Sequence, residues 1–526
     1  MQLRVFFAII RYVSLFAKTK DYERTDPEMS ASREKSKRKA EAANPVPAAK
    51  QKKGMSKSLK TALGIVCAVL VIAVIVFFTM LTTGFFEEHT TAAVVSGHKI
   101  SPATMNYYYR TAYSNLANQM GDFFSYMVDA ETPLDEQYYD EAAGTTWADA
   151  LTEQALGSAS ATYAIYDEAV ANGFTLTDDD KASIDSSISM LDYYASAYGF
   201  DSANAFLAAQ YGKGCNTKNY RDYLEVNTLV GNYATSVNDG FTYSADELKA
   251  EYDANPNKYD TVKYRLFTVN ASLFDETDDE EALKQQEEEL AREMAESSQG
   301  DESAFLMAAV KNAPEASKES YQDQSYTLRT ANGYDSTASE LADWLYDTTR
   351  QAGDTTYVEY SAGYYVAYFL SRDDHDYGMP NVRHILISVS DTTDEAAMAD
   401  AKAEAEAVLA EFEAGEQTED AFAALAQEHS ADNAEAGGLY ENVHPGETVT
   451  NFNDWCYDPA RQTGDTGIVQ TEYGYHVMYF CGRGDNCRDY LVDYALRYAD
   501  YSAWNEAATA DASYTTNSFG MRFTTK

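Results

Sequence analysis

The side chains best suited to bind metals or to act as nucleophiles are seven histidines and five cysteines. Their spacing contains no HExxH and no CxxC pattern, so the sequence predicts no metal site. The GxSxG, phosphate-loop and glycine-rich dinucleotide patterns are missing too, which leaves the common hydrolase, NTPase and dehydrogenase classes without support. Two histidines remain of interest because they lie in apolar segments, His384 within VRHILI and His476 within EYGYHVMYF.

The cysteines do not indicate a disulfide-based fold. Cys67 lies in a long apolar segment, and four cysteines in residues 87–526 are too few for a disulfide scaffold. The last two could close a small loop, but the sequence leaves their pairing open. The four are Cys215, Cys456, Cys481 and Cys487.

The net charge of −44 is divided unevenly along the chain. Residues 1–60 hold 15 Lys and Arg against 6 Asp and Glu, residues 61–86 hold neither kind, and residues 87–526 therefore hold 25 against 78, a net charge of −53. Such a surface repels phosphate backbones, because nucleic acids are bound mainly through Lys and Arg. We expect no nucleic-acid partner, and instead attraction to basic client proteins or to a cationic surface layer.

The uncharged segment between these regions predicts a transmembrane helix at residues 61–83. Its length suits a hydrocarbon layer about 30 Å thick. Lysines precede it and glutamates follow it, so the amino terminus is expected in the cytoplasm and the bulk of the chain outside, in a single-pass protein of the cell membrane. Residues 1–60 are predicted to form a disordered basic tail. A cleaved signal peptide is the alternative, which the length of the segment disfavours.

Residues 90–245 are predicted to form an all-helical module after a short strand and turn. Ser101-Pro102 supply an N-cap and a first-turn proline, and apolar residues within 181–198 recur at three- and four-residue spacing. Consecutive side chains on a helix cannot all face one core, so some of the module's consecutive tyrosines are expected to be exposed, where they can hold unfolded peptide. Packing at helix rims is the alternative. These tyrosines are Tyr107, Tyr108, Tyr109, Tyr138, Tyr139, Tyr193 and Tyr194.

The second half of the chain contains an internal repeat with an offset of 111 residues. Residues 344–374 and 455–485 align without a gap and are identical at 16 of 31 positions. The copies also begin alike, with VKYRLFTV at 262–269 and VRHILISV at 382–389. We expect two tandem domains rather than a solenoid, which needs more repeats of shorter period.

Each copy is predicted to be a β-α-α-α-β unit with an antiparallel sheet, which makes the chain a multidomain α+β protein. The copies are assigned to residues 250–375 and 376–487. In the second copy, apolar spacing predicts two helices, the latter at about 419–429, and a third begins near Phe452. Residues 467–481 alternate as one carboxy-terminal strand.

Several motifs of the second copy occur together in one order. They are the VRHILI segment, the run GEQTEDAFAALAQEHSAD ending at Asp432, the Gly437-Gly438-Leu439 turn, and EYGYHVMYF. In this the copy resembles the parvulin-type peptidyl-prolyl isomerases. The resemblance implies that His384, Asp432 and His476 form a polar network beneath the proline amide. The order of anchor, helical module, two copies and final helix is similar to that of exported foldases and chaperones of the SurA/PrsA type.

The chemistry that this family performs needs no bond cleavage. Rotation about an X-Pro amide crosses a barrier of about 18–20 kcal/mol, and an enzyme can lower it by binding the twisted amide better than the planar one. The resemblance implies that Leu439 and Phe452 line a pocket for the proline ring and that Thr471 and Tyr473 support His476. The alternative is that the two histidines only stabilise the sheet by hydrogen bonding. Amide rotation requires neither metal nor nucleotide, so no cofactor is expected.

The sequence departs from the family pattern at three places. Thr448 stands where an apolar residue, often Met, is expected, which predicts a shallower or less apolar pocket. Leu439-Tyr440-Glu441 follow the Gly-Gly turn where the family usually has an acidic residue and another glycine. In the first copy, Tyr264 and Tyr365 stand in place of the two histidines. We expect that copy to be a degenerate domain retained for packing or for peptide binding.

Together these patterns predict a membrane-anchored, extracytoplasmic peptidyl-prolyl isomerase and chaperone. Its partners would be unfolded or partly folded exported proteins with X-Pro bonds. The alternatives are an inactive holdase that uses both parvulin-like domains as peptide clamps, and an envelope assembly scaffold with a fixed partner. Residues 488–526 are predicted to form a helix and tail that return to the helical module, with a homodimer contact as the alternative role.

Overall fold

The computed structural model describes residues 57–275 and 279–525, which form a mixed helix–strand multidomain protein. The chain divides into two units, Met1–Thr82 and Thr83–Lys526. The predicted basic tail lies, up to residue 56, outside the described residues.

The first described helix, α1, runs from Lys57 to Thr83. Its segment Thr61–Thr83 contains a stretch of mean hydropathy 3.0, none of which is buried in the protein. A helix of this length and composition can cross a membrane, as an anchor or as a signal sequence. Among residues 57–275 and 279–525 it is the one helix with these properties.

Sixteen shorter helices follow in the described part of the second unit. They are α2 (Phe85–His89), α3 (Pro102–Met120), α4 (Phe124–Met127), α5 (Trp147–Ala171), α6 (Asp178–Ala197), α7 (Ala203–Tyr211), α8 (Thr217–Gly240), α9 (Ala245–Ala254), α10 (Pro256–Tyr259), α11 (Glu280–Ser298), α12 (Glu302–Asn312), α13 (Ser339–Leu345), α14 (Glu395–Ala414), α15 (Glu419–His429), α16 (Thr450–Tyr457) and α17 (Cys487–Thr509).

The described strands form four sheets, with orders β13-β1-β2, β3-β4, β6-β5-β8-β7 and β10-β9-β12-β11. Their bounds are β1 (Ala93–Val95), β2 (His98–Ile100), β3 (Tyr138–Asp140), β4 (Thr145–Thr146), β5 (Thr261–Val269), β6 (Leu328–Asn332), β7 (Thr355–Tyr360), β8 (Gly363–Asp373), β9 (Gly378–Ser388), β10 (Leu439–Tyr440), β11 (Thr466–Thr471), β12 (Gly474–Asn486) and β13 (Tyr514–Thr516).

The module predicted at residues 90–245 is built mainly from α3, α5, α6 and α8. Ser101 caps α3, and Thr146 and Thr177 form capping boxes at the starts of α5 and α6. The short strand and turn predicted before the helices is the β1-β2 hairpin, which β13 extends. The prediction that the rest of the module is all-helical is wrong, because it also contains the β3-β4 pair, whose strands of three and two residues are too short for an alternating pattern to be recognised.

Helix α3 contradicts the expectation for consecutive tyrosines. Tyr107, Tyr108 and Tyr109 are only 0%, 3% and 2% exposed. Tyr107 belongs to an apolar cluster with residues of α7, whereas the other two belong to a cluster with residues of α5. A helix covered on several sides can bury successive side chains. The expectation of exposed rings is confirmed at Tyr138, Tyr139, Tyr193 and Tyr194, which are 40–69% exposed.

The carboxy-terminal segment returns to the helical module, as predicted. Trp504 of α17 packs with Tyr233 of α8, and its indole N–H donates to a carboxylate oxygen of Glu168 at 2.9 Å. Strand β13 then pairs with β1. The apolar face of α17 around Trp504 is therefore covered within the chain.

The repeat appears in the structure as two antiparallel sheets with the same strand order. Gly353 and Gly464 each donate a backbone hydrogen bond to a phenylalanine carbonyl, at 2.9 and 2.8 Å. Arg350 and Arg461 each lie over the repeated tryptophan, 4.9 and 4.2 Å from the ring centre. The identical positions of the two copies thus make the same contacts.

The segment predicted as one strand at 467–481 is a hairpin of β11 and β12, and the second copy contains β10 in addition. Residues 472 and 473 form the turn, and Gly474 follows with φ 128°. A Cβ atom at Gly474 would lie 2.2 Å from the carbonyl oxygen of Ile387, so the close approach of β9 requires glycine. The turn lacks the Asn-Gly or Asp-Gly signal of a two-residue hairpin, and the sequence therefore gave no sign of it.

The strand register corrects the alignment at the start of the two copies. In the second sheet His384 pairs with Met478. The residue 111 positions before Met478 is Ala367, and it pairs with Leu266. Leu266 therefore takes the place of His384, and the prediction for Tyr264 is wrong by two residues. Both sheets have a register shift at the equivalent place, directly before Tyr264 and directly before Val382, so the difference lies in how the two strand sequences were aligned and not in the sheets.

Matching ion pairs agree with the corrected register. Arg265 donates to Glu302 at 2.6 Å, and Arg383 donates to Glu419 at 2.9 Å. Tyr365 keeps the position of His476. Neither histidine of the second copy thus has a counterpart in the first.

Candidate active site

The candidate site lies on one face of the β10-β9-β12-β11 sheet. His384 on β9 and His476 on β12 are 2% and 5% exposed. Because side chains alternate along a strand, both rings share the face of Val382 and Met478, which packs with residues of α16. The opposite face, which includes Val477, packs against α14 and α15. One face therefore forms the domain core while the other presents two imidazoles.

The imidazoles belong to one chain of polar contacts. Their Nδ1 atoms lie 3.1 Å apart, and the hydroxyl oxygen of Thr471 lies 2.9 Å from Nε2 of His476. Nε2 of His384 lies 3.4 Å from Oδ2 of Asp432, a charge contact without hydrogen-bond geometry. A carboxylate can only accept, so we assign a proton to Nε2 of His384. Its Nδ1 then accepts from His476, whose Nε2 accepts from Thr471. Both rings are neutral in this arrangement.

Contacts with β9 hold the loop that carries Asp432. The N–H of Leu386 donates to the hydroxyl of Ser430 at 3.1 Å, and that hydroxyl donates to the carbonyl of Asp432 at 2.6 Å. The N–H of Ala431 donates to the carbonyl of Leu386 at 2.9 Å. The Asp432 side chain is 43% exposed. Its carboxylate is thus fixed beside His384 and open to solvent.

A glycine turn brings β10 against β9. Gly438 has φ 67°, and a Cβ atom there would lie 2.0 Å from the carbonyl oxygen of His384. The N–H of His384 donates to the carbonyl of Gly438 at 2.9 Å. A side chain at Gly438 would therefore break the contact that positions the next two residues.

Strand β10 places Tyr440 in the site and Leu439 outside it. Leu439 pairs with Arg383 and shares its face, which is opposite to that of His384. The ring of Tyr440 lies 5.0 Å from the ring of His384 and 6.4 Å from that of Phe452. The prediction that Leu439 lines the pocket is wrong, because the side chain that faces the histidines comes one residue later.

Phe452 lies where the resemblance implies. It is 3% exposed, and its ring meets the rings of His384 and His476 edge-on, with centres 5.3 Å apart in both cases. Thr448 precedes the same helix, α16, and its hydroxyl oxygen is buried without a hydrogen-bond partner among the described residues. The side chain at this position therefore introduces a polar atom beside an aromatic wall.

The two residues predicted to support His476 behave differently. The Thr471 hydroxyl contacts the imidazole, as described above. Tyr473 lies in the hairpin turn and is 55% exposed. Its N–H donates to the Thr471 hydroxyl at 3.1 Å, and its carbonyl accepts from Val389. The phenol of Tyr473 is not brought to the site, because the strand on which it was placed is interrupted there.

Burial sets the protonation states of the site. It lowers the pKa of His384, although the Asp432 carboxylate acts in the opposite direction. Burial and the neighbouring His384 lower the pKa of His476 to about 4. Burial, followed by hydrogen bonding to Asp432, raises the pKa of Tyr440 to about 12. At neutral pH the site thus contains two neutral imidazoles and a protonated phenol.

Tyr440 is the site residue that sequence reasoning missed, although its departure from the family pattern was visible. Its hydroxyl donates to Oδ2 of Asp432 at 3.0 Å. We expect Tyr440→Phe to lower kcat/KM about five- to thirtyfold, because it removes a hydrogen bond to a charged acceptor worth about 1–2 kcal/mol. Tyr473→Phe, which removes an exposed phenol hydroxyl, serves as the control in the same proline-peptide assay. Equal losses in the two variants would contradict a role for the Asp432 contact.

Comparison with known proteins gives one family match, over the second copy of the repeat. Residues 384–481 match the family described as the PPIC-type PPIase domain, a rotamase. No curated protein sequence matches the chain. Similar solved structures include the peptidylprolyl isomerase PrsA from Bacillus cereus, with 18% identity over 56% of this chain and 86% of that chain and a TM-score of 0.20. PrsA from Bacillus subtilis has 12% identity over 70% of this chain and 89% of that chain, with a TM-score of 0.24.

The PrsA structure from Bacillus anthracis has 20% identity over 26% of this chain, with a TM-score of 0.18. The present chain spans 61% of that relative's length. The family match and the geometry described above carry the assignment.

The sheet, its glycine turn and its paired neutral histidines define a peptidyl-prolyl isomerase domain. Residues 384–481, which are 98 of the 526 residues, match the PPIC-type, or parvulin-type, isomerase domain.

Proposed function

We propose that His384, Asp432 and His476 form the catalytic site of this isomerase and that its substrates are X-Pro bonds in exported proteins that are not yet folded. The observation that carries the proposal is the neutral histidine pair, fixed between Thr471 and a half-exposed carboxylate and walled by Phe452. A pair that served only the sheet would not need a solvent-open carboxylate at its end.

The geometry suggests how rotation is accelerated. The proline ring packs against the aromatic rings of Phe452 and Tyr440, and its amide lies beside the carboxylate of Asp432. Resonance places partial negative charge on the carbonyl oxygen of a planar amide, and this charge decreases as the bond twists. A fixed carboxylate nearby therefore disfavours the planar form more than the twisted one. His384 positions that carboxylate, and His476 positions His384.

We also propose that α1 anchors the chain in the cell membrane, with residues 1–60 in the cytoplasm and residues 87–526 outside. The apolar segment Thr61–Thr83 and the change from net +9 to net −53 across it support this orientation. The proposed role is that of a foldase and chaperone for proteins that have crossed the membrane.

A direct test compares His476→Leu with Tyr365→Leu in the full-length protein. Both changes affect the same position of the repeat. We expect His476→Leu to lower kcat/KM for a proline peptide by more than about tenfold, or about 1.4 kcal/mol, because Nδ1 of His384 loses the imidazole that contacts it. Tyr365→Leu is expected to retain the activity. Unchanged activity in His476→Leu, or loss in both, would contradict the assignment of the site to the second copy.

The first copy is proposed to be a binding domain without isomerase activity. Leu266 and Tyr365 occupy its two histidine positions, and the ring of Tyr365 stacks on that of Tyr360 with centres 4.1 Å apart. The position of the histidine pair is thus taken by an aliphatic and an aromatic side chain that cannot form the same polar chain.

An inactive holdase is the second candidate, favoured by one observation. Exposed aromatic rings occur on the helical module, with Tyr126, Tyr193 and Tyr198 being 84%, 69% and 70% exposed. Such rings can hold unfolded chains without catalysis. A wild-type protein that suppresses aggregation of an unfolded client but does not accelerate proline isomerisation would favour this candidate. Crosslinking of one stoichiometric partner would instead favour an assembly scaffold.

A further inference from the structure

Four phenylalanines from the two ends of the second unit form one aromatic patch. The ring of Phe86 stacks on that of Phe523, with centres 5.1 Å apart, and meets Phe519 edge-on at 6.0 Å. Phe85 precedes Phe86 and stacks on His89 at 4.4 Å. We call Phe85, Phe86, Phe519 and Phe523 the terminal aromatic patch.

The patch is unusually apolar for this surface. Phe85 and Phe519 are 38% and 50% exposed. Among the described residues beyond α1, only one other phenylalanine, Phe123, is more than one third exposed. Single exposed apolar residues are common, but a stacked group with two exposed rings indicates an interaction surface.

The tertiary structure fixes the carboxy-terminal half of the patch. A Cβ atom at Gly520 would lie 1.9 Å from the carbonyl oxygen of Thr91, so this turn is packed closely against the start of the module. The backbone N–H of Thr525 donates to Asn106 at 2.7 Å. Phe519 is therefore held beside Phe86 although more than 400 positions separate them in the sequence.

Covalent distance indicates what covers the patch. Phe85 lies two residues after Thr83, the last residue of the apolar segment, so their Cα atoms are at most about 7 Å apart. The intervening Gly84 is packed against Gly214, where an added Cβ atom would lie 2.9 Å from the glycine Cα. If Thr61–Thr83 spans a bilayer, the rings of the patch are thus at its outer surface.

Basic side chains near the terminal aromatic patch also suit a lipid surface. Lys213 is exposed and lies 4.0 Å from Glu87, whose side chain is buried. Arg522, within the same turn as Phe523, is exposed too. Basic side chains and aromatic rings are the groups that proteins place at the level of lipid headgroups. They stand out in a region with a net charge of −53.

We propose that the terminal aromatic patch inserts into the outer headgroup region of the membrane and holds the extracytoplasmic part of the chain against the lipid surface. This inference rests on the proposed membrane anchoring. It adds that the carboxy-terminal turn, which is remote from the anchor in sequence, is a second lipid contact.

The test uses the full-length protein in vesicles of phosphatidylcholine and phosphatidylglycerol, with photoreactive p-benzoylphenylalanine at one position at a time. Position 519 probes the patch, position 123 is the matched exposed phenylalanine outside it, and position 76 probes α1. We expect lipid adducts from positions 76 and 519 and at least about tenfold fewer from position 123. Hydrogen exchange of β1 and β13 checks that each labelled protein keeps its fold.

The outcomes separate the two proposals. Adducts from position 76 without adducts from position 519 would overturn the lipid contact while leaving the anchor in place. The absence of adducts from all three positions would overturn the anchor and the contact together. Equal labelling at positions 519 and 123 would overturn a specific patch.

Discussion

Replacing Phe452 with Ala is expected to cause the largest loss of isomerase activity of any single change outside the polar chain. The ring is 3% exposed and contacts both histidines edge-on. If it forms the wall of the proline pocket, its removal costs about 1.5–3 kcal/mol of transition-state binding, or about 10- to 100-fold in kcat/KM. A proline-peptide assay of the full-length variant measures this effect.

The same truncation is expected to destabilise the second copy by about 3–5 kcal/mol, because it leaves a cavity under α16. Leu341→Ala is a matched control, since Leu341 stands 111 positions earlier and is 0% exposed. The Leu341→Ala change should destabilise the first copy and leave the isomerase activity unchanged. If the alanine variant unfolds, Phe452→Leu can be assayed instead, because leucine retains most of the side-chain volume but removes the aromatic ring. Wild-type activity in a folded Phe452→Leu or Phe452→Ala protein would contradict the proposed pocket.

The second large effect is a loss of stability of the second sheet in mild acid. Burial lowers the pKa of His476 from its usual value of 6.5 to about 4. Between pH 6.5 and 4 the imidazole of His476 is therefore protonated in the unfolded state and neutral in the folded state. The contribution of His476 to the free energy of unfolding is fully present above about pH 6.5 and is lost as the pH falls toward 4. The contribution of His476 alone is up to about 3 kcal/mol. Burial lowers the pKa of His384 in the same direction.

Hydrogen exchange by mass spectrometry measures this loss within one molecule. Protection in β9 and β12, corrected for the intrinsic pH dependence of exchange, is expected to fall between pH 6.5 and 4.5. Strands β5 and β8 are the internal control, because Leu266 and Tyr365 replace the histidines there. His476→Leu should flatten the profile of the second sheet. An equal loss of protection in both sheets of the wild-type protein would show that the general acidity of the chain, rather than the histidine pair, causes it.

Several features were readable from the sequence because they depend on neighbouring residues. An uncharged stretch from Thr61 predicts a helix that can cross a membrane. The resemblance to the parvulin family implied that His384 and His476 belong to one polar network, and the structure brings the two rings into contact. The repeated Trp, Arg and Gly-Asp-Thr positions predicted equivalent elements, and these make the same contacts in both sheets.

Other features depend on which strand lies beside which, and only the tertiary structure decided them. The pairing of β5 with β8 makes Leu266, and not Tyr264, the counterpart of His384. A one-residue difference on β10 turns Leu439 away and brings Tyr440 to Asp432. In both cases a displacement of one or two residues changes the side chain that faces the site, and local pattern cannot resolve so small a displacement.

The sequence by itself thus determined the length of the apolar helix, the repeat, and the resemblance of the second copy to the parvulin-type isomerases, which singled out the two histidines. The tertiary structure decided the members of the pocket, the burial of Tyr107, Tyr108 and Tyr109, and the meeting of Phe86 with Phe519. The physical reason is how far apart in the sequence the contacting residues lie. Helix and strand patterns arise from contacts a few residues apart, whereas pockets and patches form from segments that only the folded chain brings together.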